Sequence, residues 1–457
     1  MAEKPLGERF ALLTDLYQLT MAACYFDQDM HDEATFSLFI RKYPDHRGYF
    51  VAAGLEEALN YLATLRFTEE DLAYLESTGL FQTRFLDFLK TVRFTGEVFA
   101  LPEGGIFFKD EPLLEVTAPI IEAQLVETFI INAMSLQTLI ATKASRSVHA
   151  AQGRPIVDFS LRRTQGTDAG LKVARASYLV GFLGTSNVLA GKLYDIPIFG
   201  TMAHSYITSF KDEIEAFRVF AKNFPNITTL LIDTYDNYVG ARKAAEVARE
   251  MESRGQRLRA VRLDSGDIAE ISKKVRQILA EEGVGYAKIL ASGGFDEYKI
   301  ARVLAAGGEV DQLAVGTKMG VSADAPYFDI AYKMVKYAGR PVMKLSTGKR
   351  TLVDQKQVFR FYDDQGNMAR DVIALRQEEL PGGQPLLEKV MDRGRVTKQL
   401  PDLKQSRDYF ASQFTSLPQA YKDIENPAAY PVSLSAGLEK LQSRIEQEIL
   451  ERELGES

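Results

Sequence analysis

Cysteine is almost absent from this sequence, and other features that would place the protein in a particular class are also missing. Of the 457 residues only Cys24 is a cysteine, which excludes an internal disulfide and predicts a reducing, cytoplasmic environment. The first residues carry no apolar signal-peptide core. The most apolar stretch, 120–142, is interrupted by Glu122, Glu127 and Gln137. It is therefore predicted to be a buried helix and not a membrane span.

Excess positive charge is lacking as well. The formal net charge is −7, which argues against a nucleic-acid binder because such a protein shows a basic face. The sequence contains no G-x-x-x-x-G-K-[ST] loop, no G-x-G-x-x-G fingerprint after a predicted strand and no cluster of cysteine and histidine. Any use of ATP is therefore not of the P-loop type, and a zinc site is not predicted.

The middle of the chain alternates short apolar runs with helical segments. The apolar runs end, each time at a loop, at Asp158, Gly200, Asp233, Asp264, Ser292 and Gly316. Such alternating units predict a parallel sheet, and right-handed crossovers on one side would close it into a barrel. An open doubly wound sheet is the alternative. Six strands are fewer than the ~8 of a regular barrel, so the barrel is expected to be irregular or incomplete.

The two ends of the chain follow a different pattern. Residues 1–118 mix helices with short strands, and residues 327–457 contain strands separated by glycine turns and then helices. A chain of this length predicts two domains. We therefore predict an α/β fold in which an irregular (β/α) barrel, 119–326, carries the active site. The two ends together are expected to form a second, α+β domain.

Acidic side chains occur at three of the predicted strand ends. Asp158, Asp233 and Asp264 each follow an apolar run, and their carboxylates are expected to converge at one mouth of the barrel. Carboxylates there can hold Mg²⁺ through water or accept hydrogen bonds from sugar hydroxyls. Capping of the following helix is the alternative for any single one of them, but three in one barrel favour a functional role.

Glycines follow the last two predicted barrel strands, in Ser292-Gly293-Gly294 and in Gly316-Thr317. Glycine lets backbone N–H groups approach a phosphate, and the next helix adds its positive N-terminus. In barrels the loops after the final strands are the usual phosphate site. The pattern therefore indicates a phosphate site, with two tight turns as the alternative.

An aromatic ring, two arginines and a histidine occupy the loops after the first two predicted strands. Phe159, Arg162 and Arg163 follow Asp158, and His204 lies just beyond the next strand. Adjacent arginines beside an aromatic side chain suggest an anionic ring compound as ligand. An imidazole in this position can act as an acid–base group, a ligand or a phosphoryl acceptor.

Together these segments resemble the nicotinate phosphoribosyltransferase family. The resemblance extends from Thr14-Asp15-Leu16-Tyr17 to about Lys349, and it is carried by 158–166, 184–187, 200–205, 262–266 and 292–296. It implies an irregular α/β barrel plus a second domain from both chain ends, working as a homodimer with active sites at the interface. The implied reaction joins nicotinate to phosphoribosyl pyrophosphate, coupled to ATP hydrolysis and with Mg²⁺ at the site. The products are nicotinate mononucleotide and pyrophosphate, in NAD salvage.

The resemblance also implies roles by position. Phe159 and Tyr17 would stack on the pyridine ring, with Tyr17 coming from the other subunit. Arg162 would pair with the carboxylate, and His204 would be transiently phosphorylated by ATP. Arg262 and Asp264 would hold the ribose and pyrophosphate side, and the 5′-phosphate would be held by Gly293, Gly294, Gly316 and Thr317. From their positions after predicted strands, Asp233 is a further candidate for substrate binding and Ser292 for phosphate binding.

Ser186 bears on the choice of pyridine. Related nicotinamide enzymes carry an aspartate at the matching position, which accepts hydrogen bonds from a carboxamide but repels a carboxylate. Serine donates without charge and so favours nicotinate, although a helix N-cap is the alternative role. Two other functions stay open at this point: a nicotinamide or quinolinate phosphoribosyltransferase, and an inactive nucleotide-binding barrel. The sequence assigns no ATP-binding residues, no metal ligands and no roles for Lys333, Lys344 and Lys349.

Overall fold

The computed structural model describes residues 10–346 and 351–455, so Lys349 lies outside the described residues. The chain divides into two compact units, one formed by 1–139 with 327–457 and the other by 140–326. We call them the terminal unit and the central unit. The domain boundaries expected from the sequence, after 118 and after 326, stay a prediction. The first structural division lies later, within a long helix.

The N-terminal part of the chain is mixed in its secondary structure. Its elements are α1 (Leu16–Asp27), β1 (Glu33–Ile40), β2 (Phe50–Val51), α2 (Leu55–Thr64), α3 (Glu69–Ser77), α4 (Thr83–Leu89), β3 (Glu97–Ala100), β4 (Ile106–Phe107), β5 (Pro112–Pro119), α5 (Ile120–Leu125) and α6 (Glu127–Ala150). The single long helix expected after Pro119 is thus two helices. The division between the two units falls inside α6.

The central part alternates strands with helices, as expected. Its elements are β6 (Ile156–Asp158), a single 3₁₀ turn (Leu161–Arg163), α7 (Thr167–Leu179), β7 (Gly184–Thr185), α8 (Val188–Tyr194), α9 (His204–Thr208), α10 (Glu213–Asn223), β8 (Thr229–Leu231), α11 (Asn237–Glu252), β9 (Ala260–Leu263), α12 (Ile268–Glu281), β10 (Lys288–Ala291), α13 (Glu297–Ala305), β11 (Gln312–Val315) and α14 (Thr317–Gly320).

The C-terminal part returns to antiparallel strands and then to helices. Its elements are β12 (Ile330–Tyr337), β13 (Arg340–Pro341), β14 (Lys356–Tyr362), β15 (Met368–Leu375), β16 (Gln384–Pro385), β17 (Glu388–Asp392), β18 (Arg395–Val396), α15 (Leu403–Ser416), α16 (Gln419–Lys422), β19 (Val432–Leu434), α17 (Ala436–Ile449) and a terminal π-helical turn (Leu450–Leu454).

Both ends of the chain contribute strands to the main sheet of the terminal unit. The seven strands of that sheet run in the order β13-β12-β1-β5-β3-β17-β18. β1 pairs antiparallel with β5 on one side and, on the other, with β12 from the C-terminal part of the chain. The residues of β1 after Glu33 are buried, as expected for a strand in the middle of a sheet.

The central unit is built on one parallel sheet. Its six strands run in the order β7-β6-β11-β10-β9-β8, and Leu290 of β10 lies opposite both Arg262 of β9 and Gln312 of β11. The short apolar strands are buried on both faces, which is typical of a parallel sheet. This order makes the loops after β6, β11, β10 and β9 neighbours along one edge.

One predicted strand is wrong. Residues 196–199 form only an isolated bridge, between Ile198 and Thr185. Pro197 has no N–H to donate, so the hydrogen bonds here are limited to Thr185 N–H with the Pro197 carbonyl and Phe199 N–H with the Thr185 carbonyl. The sixth strand is instead the two-residue β7. Among the described residues no ladder joins β7 to β8, so closure into a barrel stays a prediction.

Helix capping shows which loop residues the fold itself requires. The side chains of Asp236, Asp267 and Asp296 accept hydrogen bonds from first-turn N–H groups of α11, α12 and α13. In each case the cap stands two or more residues beyond the strand-end residue. The strand-end acids Asp233 and Asp264 are therefore not N-caps, and the capping alternative is wrong for both.

No helix within 10–346 or 351–455 combines the length and the apolar character that crossing a bilayer would require.

Candidate active site

Arg262 is the centre of the polar network at the carboxyl edge of the central sheet. Its guanidinium donates to Ser292 Oγ at 2.8 Å, to Asp264 Oδ1 at 2.8 Å and to Thr201 Oγ1 at 3.0 Å. It also donates to the Met202 carbonyl at 3.1 Å. These partners come from three separate loops. Arg262 therefore ties the loop after 196–199 to the loops after β9 and β10.

Asp264 is held as a carboxylate by this network. Burial acts to raise the pKa of Asp264, but the hydrogen bond from Ser292 and the charge of Arg262 outweigh it and lower the pKa below its usual value. Its second oxygen, Oδ2, lies 3.8 Å from Nε2 of His204. A fixed negative charge therefore stands beside the imidazole.

His204 begins the short helix α9 and is half-exposed. Its Nδ1 lies 3.1 Å from the Thr234 hydroxyl, so one ring nitrogen is oriented by Thr234 while Nε2 faces Asp264. A hydroxyl can donate or accept, and the tautomer of the ring follows from that choice. The imidazole is thus oriented through one nitrogen and accessible through the rest of the ring.

Asp233 supports the same loop. Its Oδ2 accepts from the Asp264 N–H at 2.9 Å and from Ser265 Oγ at 2.7 Å. Its Oδ1 is buried and has no hydrogen-bond partner within the part of the chain that the structure describes. A buried carboxylate oxygen without a donor is costly, so this atom is suited to a ligand hydroxyl or a cation.

Asp158 does not share this mouth, and the expectation of three convergent carboxylates is wrong for it. Its side chain is fully buried and accepts from the Ser160 N–H at 2.8 Å and from Thr185 Oγ1 at 2.7 Å. Burial raises the pKa of Asp158, although these hydrogen bonds act to lower it. The residue ties β6 to β7 and shapes the loop that carries Phe159.

Phe159 lies beside the arginine network. Its ring packs on Val157, Leu290 and Ala314, and the Arg262 guanidinium carbon is 5.6 Å from the ring centroid. The Phe159 N–H donates to the Val315 carbonyl at 2.7 Å. One face of a partly buried ring is therefore fixed next to a cation, a setting that suits a stacked aromatic acid.

Arg162 and Arg163 lie in the 3₁₀ turn directly after Phe159. Both side chains are exposed, and neither makes a hydrogen bond or ion pair with any described residue. Among the described residues, no hydrogen bond or ion pair joins Arg162 to the network around Arg262. The two guanidinium groups are instead free for an anion.

Ser186 is also free. Its N–H donates to the Asp158 carbonyl at 2.8 Å, while its hydroxyl makes no hydrogen bond with the described residues. The cap of α8 is Asn187, whose side chain accepts from the Ala190 N–H at 3.1 Å. The N-cap alternative for Ser186 is therefore wrong.

The two glycine loops lie after β10 and β11. Gly293 and Gly294 both have positive φ, +91° and +67°, a region that glycine enters without a steric penalty. A Cβ on Gly293 would lie 1.9 Å from the Asp264 carbonyl oxygen. In front of Gly294, by contrast, there is open space within 4 Å of an added Cβ. Gly293 thus packs against the backbone of Asp264, and Gly294 faces open space.

Lys299 and Lys318 complete the surroundings of these loops, and neither was predicted from the sequence. Lys299 Nζ donates to the Gly293 carbonyl at 2.6 Å, and Lys318 Nζ lies 3.1 Å from Asp296 Oδ2. Burial lowers the pKa of Lys299, and the nearby charge of Lys318 lowers it further. Their position in the first turns of α13 and α14, just after glycines, was the signal available in the sequence.

Tyr17 belongs to the terminal unit. It is about half-exposed, at 47%, and Gln18 Nε2 donates to its hydroxyl at 3.4 Å. Burial and the negative charge of Glu127 raise the pKa of Tyr17. Lys333 Nζ lies 3.4 Å from Glu127 Oε1, which gives a contact for one of the lysines that the sequence left unassigned. The backbone N–H of Lys344 donates to the Thr351 hydroxyl at 3.2 Å, and its side chain has no assigned role.

The central unit combines glycine loops, clustered cations and a carboxylate–imidazole pair at the carboxyl edge of a parallel sheet. Glycine loops at such an edge are typical of α/β proteins that bind phosphate.

Comparison with known proteins gives the family. Models described as the N-terminal domain, the family and the C-terminal domain of nicotinate phosphoribosyltransferase match residues 12–135, 155–364 and 382–442. Nicotinate phosphoribosyltransferase pncB2 of Mycobacterium tuberculosis is 47% identical over 93% of this chain and 91% of its own length. The Bacillus subtilis nicotinate phosphoribosyltransferase is 35% identical over 97% and 98%. The chain belongs to the nicotinate phosphoribosyltransferase family.

A solved structure of a family member also matches this chain. The crystal structure of human nicotinic acid phosphoribosyltransferase superposes with a TM-score of 0.83 at 29% identity, covering 94% of this chain and 99% of the human one.

Proposed function

We propose that this chain transfers the phosphoribosyl group of 5-phosphoribosyl 1-pyrophosphate to nicotinate, giving nicotinate mononucleotide and pyrophosphate for NAD salvage, with ATP hydrolysis coupled to the step. The observation that carries the proposal is the network in which Arg262 joins Asp264, Ser292 and Thr201 next to His204 and the Gly293 loop. Family membership supplies the identity of the substrates.

In this reaction the protein has to orient the two substrates and stabilise the charges of the transition state. The pyridine nitrogen bonds to the ribose C1 while the bond from C1 to the pyrophosphate oxygen breaks, through an oxocarbenium-like state. The nitrogen already has a lone pair, so no general base is needed. Fixed groups that hold the two anions around the developing cation lower the barrier. Arg262 and the N–H groups near Gly293 and Thr317 would hold the anions, and Asp264 would face the cationic sugar.

Mg²⁺ fits this donor set. The described residues contain no cluster of three or more histidine, cysteine, aspartate or glutamate side chains that could hold a metal. Mg²⁺, however, is commonly bound by one or two carboxylates together with substrate phosphates and waters. The buried, unpaired Oδ1 of Asp233 supplies such an oxygen. Asp233 would hold the ion, which would neutralise pyrophosphate charge.

His204 is the proposed acceptor of the ATP γ-phosphate. An imidazole nitrogen would attack the γ-phosphorus and release ADP, and water would later hydrolyse the P–N bond. The orientation by Thr234 and the neighbouring Asp264 support this role. Added phosphoryl charge beside Asp264 and Arg262 would change the local electrostatics, which gives ATP a route to influence pyrophosphate binding.

The nicotinate end of the site is assigned to Phe159, Arg162 and Ser186. Phe159 offers a ring face, Arg162 an unpaired guanidinium and Ser186 an unpaired hydroxyl without charge. A guanidinium can hold a carboxylate by two parallel hydrogen bonds. This set favours a pyridine monocarboxylate over a carboxamide.

Replacing Arg162 by alanine is expected to raise the KM for nicotinate at least ~10-fold, since a charge-assisted hydrogen bond contributes about 1.5–3 kcal/mol. The KM for phosphoribosyl pyrophosphate should change less than about 2-fold, well within the effect of one neutral contact. Arg163→Ala is the matched control, because Arg163 lies in the same exposed turn. Steady-state kinetics with each substrate varied in turn measures both constants. Equal effects on the two KM values would misplace Arg162.

Purified protein assayed with nicotinate, nicotinamide and quinolinate tests the function as a whole. We expect nicotinate to be the best substrate by far. Preference for nicotinamide would make the reading of Ser186 wrong, and preference for quinolinate would indicate the other sister activity. Nucleotide binding without turnover on any of the three would identify an inactive binding protein.

We further propose that the central sheet closes into an irregular barrel, that the terminal unit forms the second domain, and that the protein is a cytoplasmic homodimer. Tyr17 would enter the partner's active site, which agrees with its half-exposed ring. The single cysteine, Cys24, is free and exposed, as suits a reducing compartment.

Subunit complementation tests the placement of Tyr17. Tyr17→Ala and Gly293→Ala are each expected to lose nearly all activity alone. Co-expression should restore about a quarter of wild-type activity, because half of the twofold dimers formed at random are mixed and each contains one intact site. Activity assay of the purified mixture measures this, and two separately purified mutants assayed without subunit exchange are the control. No recovery on co-expression would place Tyr17 outside the partner's site.

A further inference from the structure

Backbone donors without partners run through the loop after β10. The N–H groups of residues 293–296 make no hydrogen bond with any described residue. Successive free N–H groups in a turn form a concave anion site, commonly called a nest. We use the name Gly293 nest for the loop 293–296. Its depth depends on how the individual peptide planes are rotated.

Lys299 fixes one of these planes. Its Nζ donates to the Gly293 carbonyl oxygen at 2.6 Å and lies 4.6 Å from the centroid of the Phe295 ring. The Gly293 carbonyl and the Gly294 N–H belong to the same planar trans peptide, so they point in opposite directions. A carbonyl held by Lys299 therefore turns the Gly294 N–H away from the lysine. Gly294 is also the residue that borders open space.

Hydrogen bonds and ion pairs fix the helical turn from which Lys299 extends. The N–H of Lys299 donates to Asp296 Oδ1 at 2.8 Å, and the other oxygen of Asp296 is bound by Lys318. Glu297, in the same helical turn, is fully buried between Arg146 Nε at 2.9 Å and Lys143 Nζ at 2.6 Å. The first turn of α13 is thus anchored from two sides, and Lys299 has a fixed base from which to hold the loop.

We propose that Lys299 is a positioning residue for the phosphate of the sugar substrate. It acts by holding the Gly293 carbonyl so that the Gly294 N–H projects into the Gly293 nest, where a phosphomonoester dianion binds. Lys299 acts through the backbone and does not touch the reacting atoms. This inference rests on the proposed function and deepens it at the phosphate subsite.

Three variants test the role of Lys299. Lys299→Met keeps the length of the side chain but removes the donor, and Lys299→Arg keeps a donor. Lys274→Met, an exposed lysine of α12 that bonds only to Gln277 within its own helix, is the control. We expect Lys299→Met to raise the KM for phosphoribosyl pyrophosphate at least ~10-fold, the size of one lost charge-assisted hydrogen bond. The nicotinate KM should stay within about 2-fold, and Lys299→Arg should recover most of the loss.

A second measurement is independent of turnover. Inorganic phosphate is titrated into ¹⁵N-labelled protein while the amide resonance of Gly294 is followed. We expect a saturable shift in the wild type and in Lys274→Met, and a weakened one in Lys299→Met. A Gly294 shift of equal size and affinity in Lys299→Met would overturn the inference, as would unchanged kinetics.

Three outcomes separate this inference from the proposed function. Absence of phosphoribosyl transfer by the wild type, with a phosphate response that depends on Lys299, would reject the reaction but keep the positioning role. Normal transfer by Lys299→Met would keep the reaction and reject the role. Equal loss for both substrates, without rescue by arginine, would mean general collapse of the loop and would also reject positioning.

Discussion

Gly293→Ala is expected to lower kcat/KM for phosphoribosyl pyrophosphate by about 100-fold, the cost that a displacement of about 1 Å at a reacting site can carry. An added Cβ would lie 1.9 Å from the Asp264 carbonyl oxygen and 2.8 Å from its carbonyl carbon. The backbone must therefore move on one side or the other. Either movement displaces Asp264 or the N–H groups of the Gly293 nest.

Strain at positive φ adds to this clash, and a control separates the two effects. Left-handed backbone costs a non-glycine residue roughly 1–2 kcal/mol. Gly283 has φ +76° and no atom within 4 Å of an added Cβ, so Gly283→Ala carries the strain without the clash. We expect Gly283→Ala to lose some thermal stability and keep its kinetic constants. If Gly293→Ala matched it in both respects, close packing of the two loops would be irrelevant to activity.

His204→Ala is expected to abolish the stimulation of turnover by ATP while leaving slow transfer that does not need ATP. The imidazole is the proposed phosphoryl acceptor, so alanine removes the atom that would be phosphorylated. It also removes the interactions of Nδ1 with Thr234 and of Nε2 with Asp264. Initial rates with and without ATP measure the stimulation. Incubation with γ-labelled ATP, followed by detection of acid-labile phosphate on the protein, measures the intermediate.

Two further variants serve as comparisons for the effect of His204→Ala on ATP stimulation. Thr234→Val keeps the imidazole but removes its hydroxyl partner, and should reduce the ATP effect without eliminating it. His31→Ala alters a histidine of the terminal unit that lies near Asp29, and should behave as wild type. Full ATP stimulation in His204→Ala would exclude the phosphohistidine mechanism. The basal transfer reaction would be unaffected by that result.

Alternation of apolar runs and helices was sufficient to predict the parallel sheet of the central unit. The runs ending at Asp158, Asp233, Asp264, Ser292 and Gly316 are strands of one sheet. The run before Gly200 failed because a single proline removed a donor and left one bridge. Hydrophobicity reports burial, and it does not report whether a ladder of hydrogen bonds can be completed.

The residues of the site were predictable to different degrees. Asp264, Ser292 and His204 were identified from their position after predicted strands and Arg262 from the family resemblance, and the structure brings the four together. The failure for Asp158 has a local cause, since its oxygens are used by Ser160 and Thr185 across a short loop. Lys299 and Lys318 were missed because a lysine on a helix is usually a solvated side chain. Only the fold reveals that these two turn back to glycine loops.

The acids at the strand ends and the N-caps of the helices are different residues, which affects what substitutions in these loops can do. Asp236, Asp267 and Asp296 accept the hydrogen bonds of the first-turn N–H groups of α11, α12 and α13. The residues that directly follow the strands are therefore not needed as N-caps. A change at Asp233 or Ser292 alters the hydrogen bonds around Asp264 and Arg262 but leaves the N-caps of α11 and α13 in place. Substitutions at these loop positions can therefore change ligand preference while the helices behind them keep their N-caps.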